Sequence, residues 1–501
     1  MRPTNLGDVI DPERDAGLTA LIEPGPHDAR HYSYGEIDEA ARAVARALIG
    51  RGLETGDRVA ILAANSVRYL MAYFGIMRAG LIAVPVNFKL PRALVDHVVG
   101  DSGARLAFVD TDRLPQLPDN LPRIVLDGQG ADGYENFLDP GPFETATPSP
   151  DDIAMFLYTS GSSGRPKGVP LSHAGQLWVI ETRLRLGQDL DRHRLLVAAP
   201  LYHMNGLAIS TFALAAHASE VLLTQFRADD YIKAIEQFGC SWLTSVPTML
   251  ALLAQETALL EATDLSSVRI VAMGSAPVSD NLMATLQERF SGCAFVNGFG
   301  TTETGAICFG AHPDDLPRPL VSLGHPISGI DVRLVADGEN EPDEGVLHIR
   351  SPALMTGYHN LPEKTAEVMT DDGYFVTGDV MRRDENGFFY FVGRDDDMFV
   401  CGGENIVPAA IERMLETHPD IEQACVVPVA DEIRGHMPVA YVVRRSDSDL
   451  AEQSVKDFAL ANATPQEHPR RVFFLDVLPL AGTNKIDRHA LTQRAAQELR
   501  S

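Results

Sequence analysis

Residues 158–168 read Tyr158-Thr-Ser-Gly-Ser-Ser-Gly-Arg-Pro-Lys-Gly168 and follow an apolar run, Ile153 to Leu157. Seven of the ten residues 159–168 are Gly, Ser or Thr. Small residues let backbone N–H groups turn towards one anion, hydroxyl groups add donors, and Arg165 and Lys167 add positive charge. The position after a buried strand is the usual one for phosphate binding, so the stretch predicts an anion-binding loop rather than a flexible linker.

This loop does not match the P-loop of GTPases and ATPases. That motif requires Gly-Lys-Ser/Thr after Gly161 and four further residues. Position 166 is instead Pro, and Lys167 precedes Gly168. The phosphate site therefore belongs to another class of nucleotide-binding protein.

Strands and helices alternate on both sides of the loop. Residues 57–62 and 81–86 are apolar runs typical of strands, and residues 69–77 between them have helical spacing. The alternation recurs from 195 to 297. Strand, helix and strand at this spacing indicate βαβ units and a largely parallel sheet. We therefore predict stacked α/β layers for the first 300 residues or so.

The pattern changes after residue 330. Short strands at 332–335, 345–350 and 388–392 are separated by Gly, Asp and Asn turns, which predicts a β-rich subdomain. An acidic run, Asp395-Asp396-Asp397, precedes a last stretch with helices near 408–415 and 450–462. The predicted fold class is α/β: an N-terminal multi-subdomain portion, 1–395, followed by a small α+β domain, 396–501.

Composition narrows the function. The 501 residues carry 42 Lys and Arg against 69 Asp and Glu, a net charge of −27. Such a chain should repel phosphate backbones, so we predict no nucleic-acid binding, although local donors can still bind small anions. The N-terminus has no apolar signal segment and no stretch is long enough for a membrane span. Five widely spaced cysteines argue against a disulfide framework, and together these features predict a cytoplasmic protein.

Five motifs in chain order resemble those of the adenylate-forming superfamily, which includes acyl-CoA synthetases, peptide-synthetase adenylation domains and luciferases. They are the loop 158–168; Gly298-Phe-Gly-Thr-Thr-Glu303; Tyr374-Phe-Val-Thr-Gly-Asp379; Gly393-Arg-Asp-Asp-Asp-Met398 with Gly402-Gly-Glu-Asn-Ile406 and Pro408; and Pro479-Leu-Ala-Gly-Thr-Asn-Lys485-Ile-Asp-Arg488. One such motif is weak evidence, whereas five in order over about 330 residues are specific. The resemblance implies that a carboxylate attacks ATP to form an acyl-adenylate and pyrophosphate, and that a thiol then displaces AMP.

The resemblance also implies roles for individual residues. Glu303 would coordinate Mg²⁺, and Thr302 would hydrogen-bond the α-phosphate. Asp379 would accept the ribose hydroxyls, and Arg394 would reach the ribose or the phosphate. Lys485 would bridge the carboxylate and the α-phosphate. Residues expected at the phosphates are Thr159, Ser160, Gly161, Ser162, Ser163, Gly164 and Lys167. Residues expected around the adenine and the rest of the nucleotide are Gly274, Ser275, Ala276, Pro277, Asn297, Gly298, Phe299, Gly300 and Thr301.

The implied C-terminal domain is mobile and rotates between the two half-reactions. Asp396 would be the hinge, although Asp395 and Asp397 leave its position open by one residue. After rotation Gly402 and Gly403 would lie beside the CoA arm, and the neighbouring Cys401 is interpreted as a buried structural residue. Before the motif lysine the superfamily usually has Gly, but this chain has Asn484, which tolerates the left-handed backbone better than other non-glycine residues.

The resemblance also implies an acyl pocket around His203, Met204, Val246 and Met273. His203 stands at the position where relatives gate the acid tunnel, and packing in the core is the alternative role. No Arg or Lys lies inside the pocket segments 200–206, 246–248, 273–274 and 300–301. We therefore predict an apolar monocarboxylate, either aromatic or a medium-chain fatty acid.

The predicted function is an ATP-dependent acyl-CoA ligase with ATP, Mg²⁺, CoA and a small carboxylic acid as its ligands. Within the superfamily, an acyl-carrier-protein ligase or a stand-alone adenylating enzyme is the alternative. No Asp stands near Tyr202 and His203 to pair an α-ammonium group, which disfavours an amino-acid enzyme. A non-catalytic nucleotide-binding relative is the alternative from another class, and a homodimer is left open.

Overall fold

The structure of the chain is a computed structural model. It describes residues 3–11, 14, 16–25, 27–159, 165–336, 342–401, 404–431, 434–445, 448–482 and 484–499. The strands are β1 (Thr19–Glu23), β2 (Arg30–Ser33), β3 (Arg58–Leu62), β4 (Ile82–Pro85), β5 (Ala104–Val109), β6 (Arg123–Val125), β7 (Ile153–Thr159), β8 (Lys167–Ser172), β9 (Arg194–Val197), β10 (Ser219–Leu222), β11 (Trp242–Ser245), β12 (Ile270–Gly274), β13 (Ala294–Gly298), β14 (Phe309–Gly310), β15 (His325–Pro326), β16 (Asp331–Val335), β17 (Glu344–Arg350), β18 (Phe375–Arg383), β19 (Phe389–Arg394), β20 (Phe399–Cys401), β21 (Glu404–Ile406), β22 (Ile421–Asp431), β23 (Gly435–Arg444) and β24 (Arg471–Phe474).

The α-helices cover Tyr34–Gly50, Val67–Arg78, Arg92–Ser102, Tyr134–Phe137, His173–Leu186, Met204–Ala215, Ala228–Phe238, Pro247–Gln255, Thr257–Ala262, Asp280–Arg289, Pro362–Val368, Pro408–Glu416, Glu452–Asn462 and Arg488–Glu498, with short 3₁₀ helices at Leu6–Asp8, Thr111–Gln116 and Leu190–Arg192. The first long helix begins at a capping box. Ser33 Oγ accepts from Glu36 N at 3.2 Å, and the Glu36 carboxylate accepts from Ser33 N at 2.7 Å. None of the helices that the structure describes is long and apolar enough to cross a membrane.

Two sheets with helices packed on their faces form the large N-terminal portion. One has the strand order β6-β5-β3-β4-β7-β8 and is parallel except for its last strand. The other has the order β13-β12-β11-β9-β10-β1-β2 and is parallel except for β2. Their strands read as continuous apolar runs because helices cover both faces, as parallel sheets require. The predicted strand 57–62 is observed as Arg58–Leu62, and the predicted helix 69–77 as Val67–Arg78.

The β-rich part that was predicted after residue 330 is a four-stranded antiparallel sheet, β16-β17-β18-β19. Strand β18 was not predicted, yet it carries the third motif, and Asp379 lies opposite Arg394 on β19. A register shift between Val380 and Met381 marks an irregularity at this point of the ladder. The pairing places two motif residues from different parts of the chain side by side.

The C-terminal domain is the predicted α+β unit. Its sheet runs β21-β20-β23-β22, and β24 adds in parallel to β23. Apolar residues of this sheet and of the helices Pro408–Glu416 and Glu452–Asn462 form a separate core. Cys401 is buried in that core, and the five cysteines are free thiols. The chain is therefore an α/β protein with a large N-terminal portion and a small C-terminal domain.

Candidate active site

A cavity of about 2310 Å³ lies at the carboxyl ends of parallel strands of the seven-stranded sheet. Strands β11, β12 and β13 end at Ser245, Gly274 and Gly298, and all three residues line it. Ligands of open α/β sheets bind at such strand ends. The sheet topology therefore gathers motifs that are far apart in the sequence.

Most of the predicted site residues lie in the wall of this cavity. They are Thr159, Lys167, His203, Met204, Val246, Met273, Gly274, Ser275, Ala276, Pro277, Asn297, Gly298, Phe299, Gly300, Thr301, Thr302, Glu303, Asp379, Arg394, Asp396 and Lys485. The loop residues Ser160, Gly161, Ser162, Ser163 and Gly164 and the pair Gly402 and Gly403 lie outside the described residues.

The wall expected to face adenine is made largely of backbone. Gly274 pairs with Gly298 between β12 and β13, and a Cβ on Gly274 would lie 2.7 Å from the Gly298 carbonyl oxygen. Ser275 follows in the left-handed region, with φ of 67°. Arg318, which sequence reasoning missed, also lines the cavity and donates to the carbonyl oxygens of Asn297 and Ser322, which holds the end of this wall in place. Such a bare, supported surface leaves room for a flat ring.

At the end of β7, one hydroxyl group is free to donate and to accept a hydrogen bond. Thr159 Oγ1 is buried and has no hydrogen-bond partner among the described residues. Thr159 pairs in register with Lys167, whose Nζ lies 4.1 Å from the ring centroid of Tyr358. A buried hydroxyl without a partner costs free energy, so a phosphate oxygen at this place fits the site.

Glu303 is held in place by two contacts. Tyr358 donates its hydroxyl hydrogen to Glu303 Oε1 at 3.0 Å, and Met355 N donates to the Glu303 carbonyl oxygen at 2.8 Å. Burial, together with the negative charge of Glu303, raises the pKa of Tyr358, so the phenol stays a donor. Tyr358 therefore contacts both Glu303 and Lys167, two residues assigned to the phosphate end.

Asp379 and Arg394 form the charged centre of the cavity. Asp379 is 6% exposed and accepts from Arg394 Nη1 at 3.0 Å. Burial raises the pKa of the Asp379 carboxyl to about 6, and the charge of Arg394 opposes this rise. Arg394 also forms a two-pronged contact with Asp396, Nε to Oδ1 at 2.8 Å and Nη2 to Oδ2 at 3.0 Å.

Lys485 enters the same cavity from the C-terminal domain. Its pKa is lowered by burial, while the charge of Asp379 opposes that lowering. Asn484 before it has φ of 60°, the left-handed conformation that asparagine tolerates. Ala481 N donates to the Lys485 carbonyl oxygen at 2.7 Å, and Tyr202 donates its hydroxyl hydrogen to the Gly482 carbonyl oxygen at 2.8 Å. The Tyr202 contact ties the lysine loop to the N-terminal portion.

His203 lines the same cavity as Lys485 and is close enough to be affected by the charge of that lysine. It precedes the helix Met204–Ala215, and its Nε2 atom is buried without a partner among the described residues. Burial, together with the positive charges of Lys485 and Lys89, lowers the pKa of His203 to about 3. The imidazole is therefore neutral at physiological pH and can accept or donate one hydrogen bond.

The predicted pocket residues line the same cavity as a cation that was not predicted. Met204, Val246 and Met273 are buried beside the cavity. Arg183, from the helix His173–Leu186, also lines the cavity. It was missed because it lies outside the four segments from which the pocket was predicted. The absence of cations from those segments therefore does not extend to the whole pocket.

Comparison with known proteins agrees with this geometry. Residues 11–359 match the family model of AMP-binding enzymes, and residues 410–485 match the model of the AMP-binding enzyme C-terminal domain. A feruloyl-CoA synthase of Amycolatopsis sp is 32% identical over 97% of this chain and 98% of its own length. A fatty acid–[acyl-carrier-protein] ligase of Streptomyces coeruleorubidus is 31% identical over 93% and 92%. The crystal structure of an anthranilate CoA ligase in complex with anthranoyl-AMP superposes with a TM-score of 0.90 at 25% identity, covering 100% of this chain and 99% of the other.

The chain belongs to the AMP-binding enzyme family, the adenylate-forming enzymes that its motifs resemble. Within that class it is an AMP-forming acid–thiol ligase.

Proposed function

We propose that this enzyme is an ATP-dependent acyl-CoA ligase that activates a carboxylic acid with an apolar aromatic or medium-chain body. The observation that carries the proposal is the convergence of Glu303, Asp379 and Lys485, from three separate motifs, on one cavity. A non-catalytic nucleotide-binding relative has no need of all three. Their joint presence therefore supports catalysis.

In the first half-reaction a carboxylate oxygen attacks the α-phosphorus of ATP, and the bond from that phosphorus to the bridging oxygen of pyrophosphate breaks. Two anions must approach each other, so positive charge is needed between them. Lys485 supplies it, since its ammonium group interacts electrostatically with both Asp379 and His203. Asp379 accepts from the ribose hydroxyls, and Thr302 donates to the α-phosphate.

Glu303 is the residue that would hold Mg²⁺. The described residues contain no group of three or more His, Cys, Asp and Glu that would cage a metal. Mg²⁺ in nucleotide enzymes is bound through one or two carboxylates together with substrate phosphates, and a single positioned carboxylate fits that pattern. When bound, the metal supplies positive charge to the phosphate oxygens. Tyr358 orients Glu303 for this contact.

In the second half-reaction a thiolate sulfur attacks the acyl carbon, the mixed anhydride bond breaks and AMP leaves. We propose that the C-terminal domain, 396–501, rotates about Asp396 for this step and brings Gly402 and Gly403 to the pantetheine arm. The thiol needs an open path to the acyl carbon, so the site has to be rebuilt between the two steps. The cytoplasmic location and the homodimer stay predictions from the sequence.

Two alternatives within the family differ from this proposal in the molecule that accepts the acyl group. An acyl-carrier-protein ligase is supported by the similarity to the carrier-protein ligase of Streptomyces coeruleorubidus. A stand-alone adenylating enzyme would release acyl-adenylate to another acceptor. CoA is favoured because the compared feruloyl-CoA synthase and anthranilate CoA ligase match nearly the full chain.

The test is ATP–pyrophosphate exchange across a panel of aromatic and aliphatic acids, followed by addition of CoA or of a carrier protein bearing phosphopantetheine. Acid-dependent exchange with formation of an acyl-CoA thioester is expected. Exchange followed by transfer only to the carrier protein identifies a carrier-protein ligase. Exchange without formation of any thioester identifies a stand-alone adenylating enzyme. No exchange with any acid contradicts the proposal.

A further inference from the structure

Arg183, on the helix His173–Leu186, lines the cavity beside Phe212. Its Nη2 atom donates to the Ala306 carbonyl oxygen at 3.0 Å, which anchors one side of the guanidinium. Its Cζ atom lies 5.9 Å from the ring centroid of Phe212, which also lines the cavity. A guanidinium has five N–H donors, so one carbonyl contact leaves several of them for another acceptor.

Within the described part of the chain, no carboxylate compensates this charge. Burial alone lowers the pKa of Arg183 to about 10, with no opposing contribution from an acidic neighbour. Asp379 and Arg394 are the charges that act on Lys485, and Lys485 and Lys89 are those that act on His203. Arg183 is therefore a second cationic centre, electrostatically separate from the one that meets the reacting carboxylate.

A second observation beside Phe212 indicates a missing acceptor. Trp242 Nε1 is buried and has no hydrogen-bond partner among the described residues, and Trp242 lines the cavity. Its ring centroid lies 5.9 Å from that of Phe212, the same ring that Arg183 approaches. Phe212 thus packs against both a half-buried cation, which donates to the Ala306 carbonyl oxygen, and a buried N–H donor without a partner among the described residues. Buried donors and charges of this kind are normally paired.

We propose that the acid carries a second acidic group, remote from the carboxylate that is adenylated, which pairs with Arg183 and accepts a hydrogen bond from Trp242 Nε1. This inference rests on the proposed function and narrows its substrate class to apolar acids with an additional carboxylate or sulfonate. It replaces the monocarboxylate expected from sequence, which depended on pocket segments that exclude Arg183.

The diacid should be preferred because a substrate without the second acidic group leaves the charge of Arg183 without an anionic partner. A second anion gains charge-assisted hydrogen bonds from Arg183, whereas a methyl group at the same place leaves the half-buried guanidinium without an anionic partner. Sites built to pair a polar group reject analogues that lack it much more strongly than apolar pockets reject an extra methylene. The preference for the diacid should therefore be large and should depend on this one side chain.

The experiment measures acid-dependent ATP–pyrophosphate exchange with matched pairs of acids. One series compares straight-chain monoacids with α,ω-diacids of the same chain length, and another compares para-methylbenzoate with para-carboxybenzoate and para-sulfobenzoate. The sulfonate arm separates recognition of any anion from recognition of a carboxylate. The wild-type enzyme is expected to use at least one diacid with a kcat/KM about 100-fold above that of its methyl-terminated partner.

Arg183→Met is expected to lower kcat/KM for the preferred diacid about 100-fold and so to abolish the preference for the diacid over the matched monoacid. Exchange with the monoacid shows that the variant is folded, and Arg183→Lys, which keeps the charge, should retain the preference in part. Arg185→Met is the matched control, since Arg185 is on the same helix, is exposed and contacts Thr182 Oγ1 at 3.0 Å. It should behave as wild type.

Wild-type preference for the methyl-terminated acids in every pair overturns the inference and leaves the proposed function standing. An Arg183→Met enzyme that keeps the diacid preference overturns it as well. If neither series supports exchange, the proposed function fails and this inference fails with it.

Discussion

Arg394 and Asp379 lie opposite each other on neighbouring antiparallel strands, and Arg394 Nη1 donates to Asp379 Oδ1 at 3.0 Å. The same guanidinium holds Asp396 through Nε and Nη2. One cation therefore joins the proposed ribose acceptor to the proposed hinge. Any change in the backbone at Asp396 must alter a contact of the side chain that faces the nucleotide.

The affinity for ATP should fall as the pH is lowered through about 6. Burial holds the pKa of Asp379 at about 6, above the usual value for aspartate, so below that pH the carboxyl becomes protonated and loses acceptor capacity for the ribose. The KM for ATP in pyrophosphate exchange, measured from pH 5 to 8, is expected to rise about tenfold per pH unit on the acidic side. Asp379→Asn should have a raised KM for ATP at every pH, and this KM should not rise tenfold per pH unit on the acidic side. An identical acid limb in both enzymes would assign the titration to another group.

A proline at the hinge should separate the two half-reactions. Asp396→Pro restricts φ at 396 and the residue before it, so adenylation in the present arrangement is kept while rotation is hindered. Pyrophosphate exchange is expected within about threefold of wild type and thioester formation from supplied acyl-adenylate reduced about 100-fold. Asp396→Ala is the control; the Asp396 side chain is 64% exposed, and an exposed ion pair contributes little. Equal loss of both steps in the proline variant would argue against a hinge at this position.

Tyr202 is predicted to be a positioning residue for Lys485. Its hydroxyl donates to the Gly482 carbonyl oxygen at 2.8 Å and so holds the lysine loop against the N-terminal portion. Tyr202→Phe removes only this hydrogen bond, and we expect adenylation to slow about 3- to 10-fold, since such a bond contributes roughly 1 kcal/mol. Thioester formation from supplied acyl-adenylate should stay unchanged. If both steps slow equally, Tyr202 acts on the fold in general and not on the lysine loop.

Tyr358 should affect the use of magnesium–ATP. Tyr358→Phe keeps the aromatic face beneath Lys167 but removes the donor to Glu303, so the carboxylate becomes less ordered. The Mg²⁺ concentration for half-maximal exchange is expected to rise about 10-fold, the lower range for loss of a residue that orients a metal ligand. Tyr358→Ala removes both contacts and should also raise the KM for ATP. An unchanged Mg²⁺ requirement in Tyr358→Phe would argue against Glu303 as a magnesium ligand that Tyr358 orients.

The sequence predicted those features of the fold and the site that depend on residues close together in the chain. The anion loop and the strand–helix alternation are each recognisable within one segment, because residue type and spacing dictate them, whereas the pairing of Gly274 with Gly298 joins two strands and was not predicted. The contacts that complete the site are not local. Tyr358 meets Glu303 across 55 residues, Arg183 meets Ala306 across 123, and Tyr202 meets Gly482 across 280. Such pairs depend on how the sheets and the C-terminal domain pack, and a single Tyr or Arg in a helix or loop carries no signal of them.

The central claim is that Lys485 supplies the charge for adenylation and leaves the site for thioester formation. The direct measurement compares Lys485→Ala with wild type in both half-reactions, with the exposed Lys233→Ala as control. We predict that Lys485→Ala lowers acid-dependent pyrophosphate exchange by about 100-fold or more, since it removes a positive charge aimed at the transition state. Thioester formation from supplied acyl-adenylate and CoA should stay within about threefold of wild type, because that step needs no charge from Lys485. Exchange at the wild-type rate in Lys485→Ala would contradict the account.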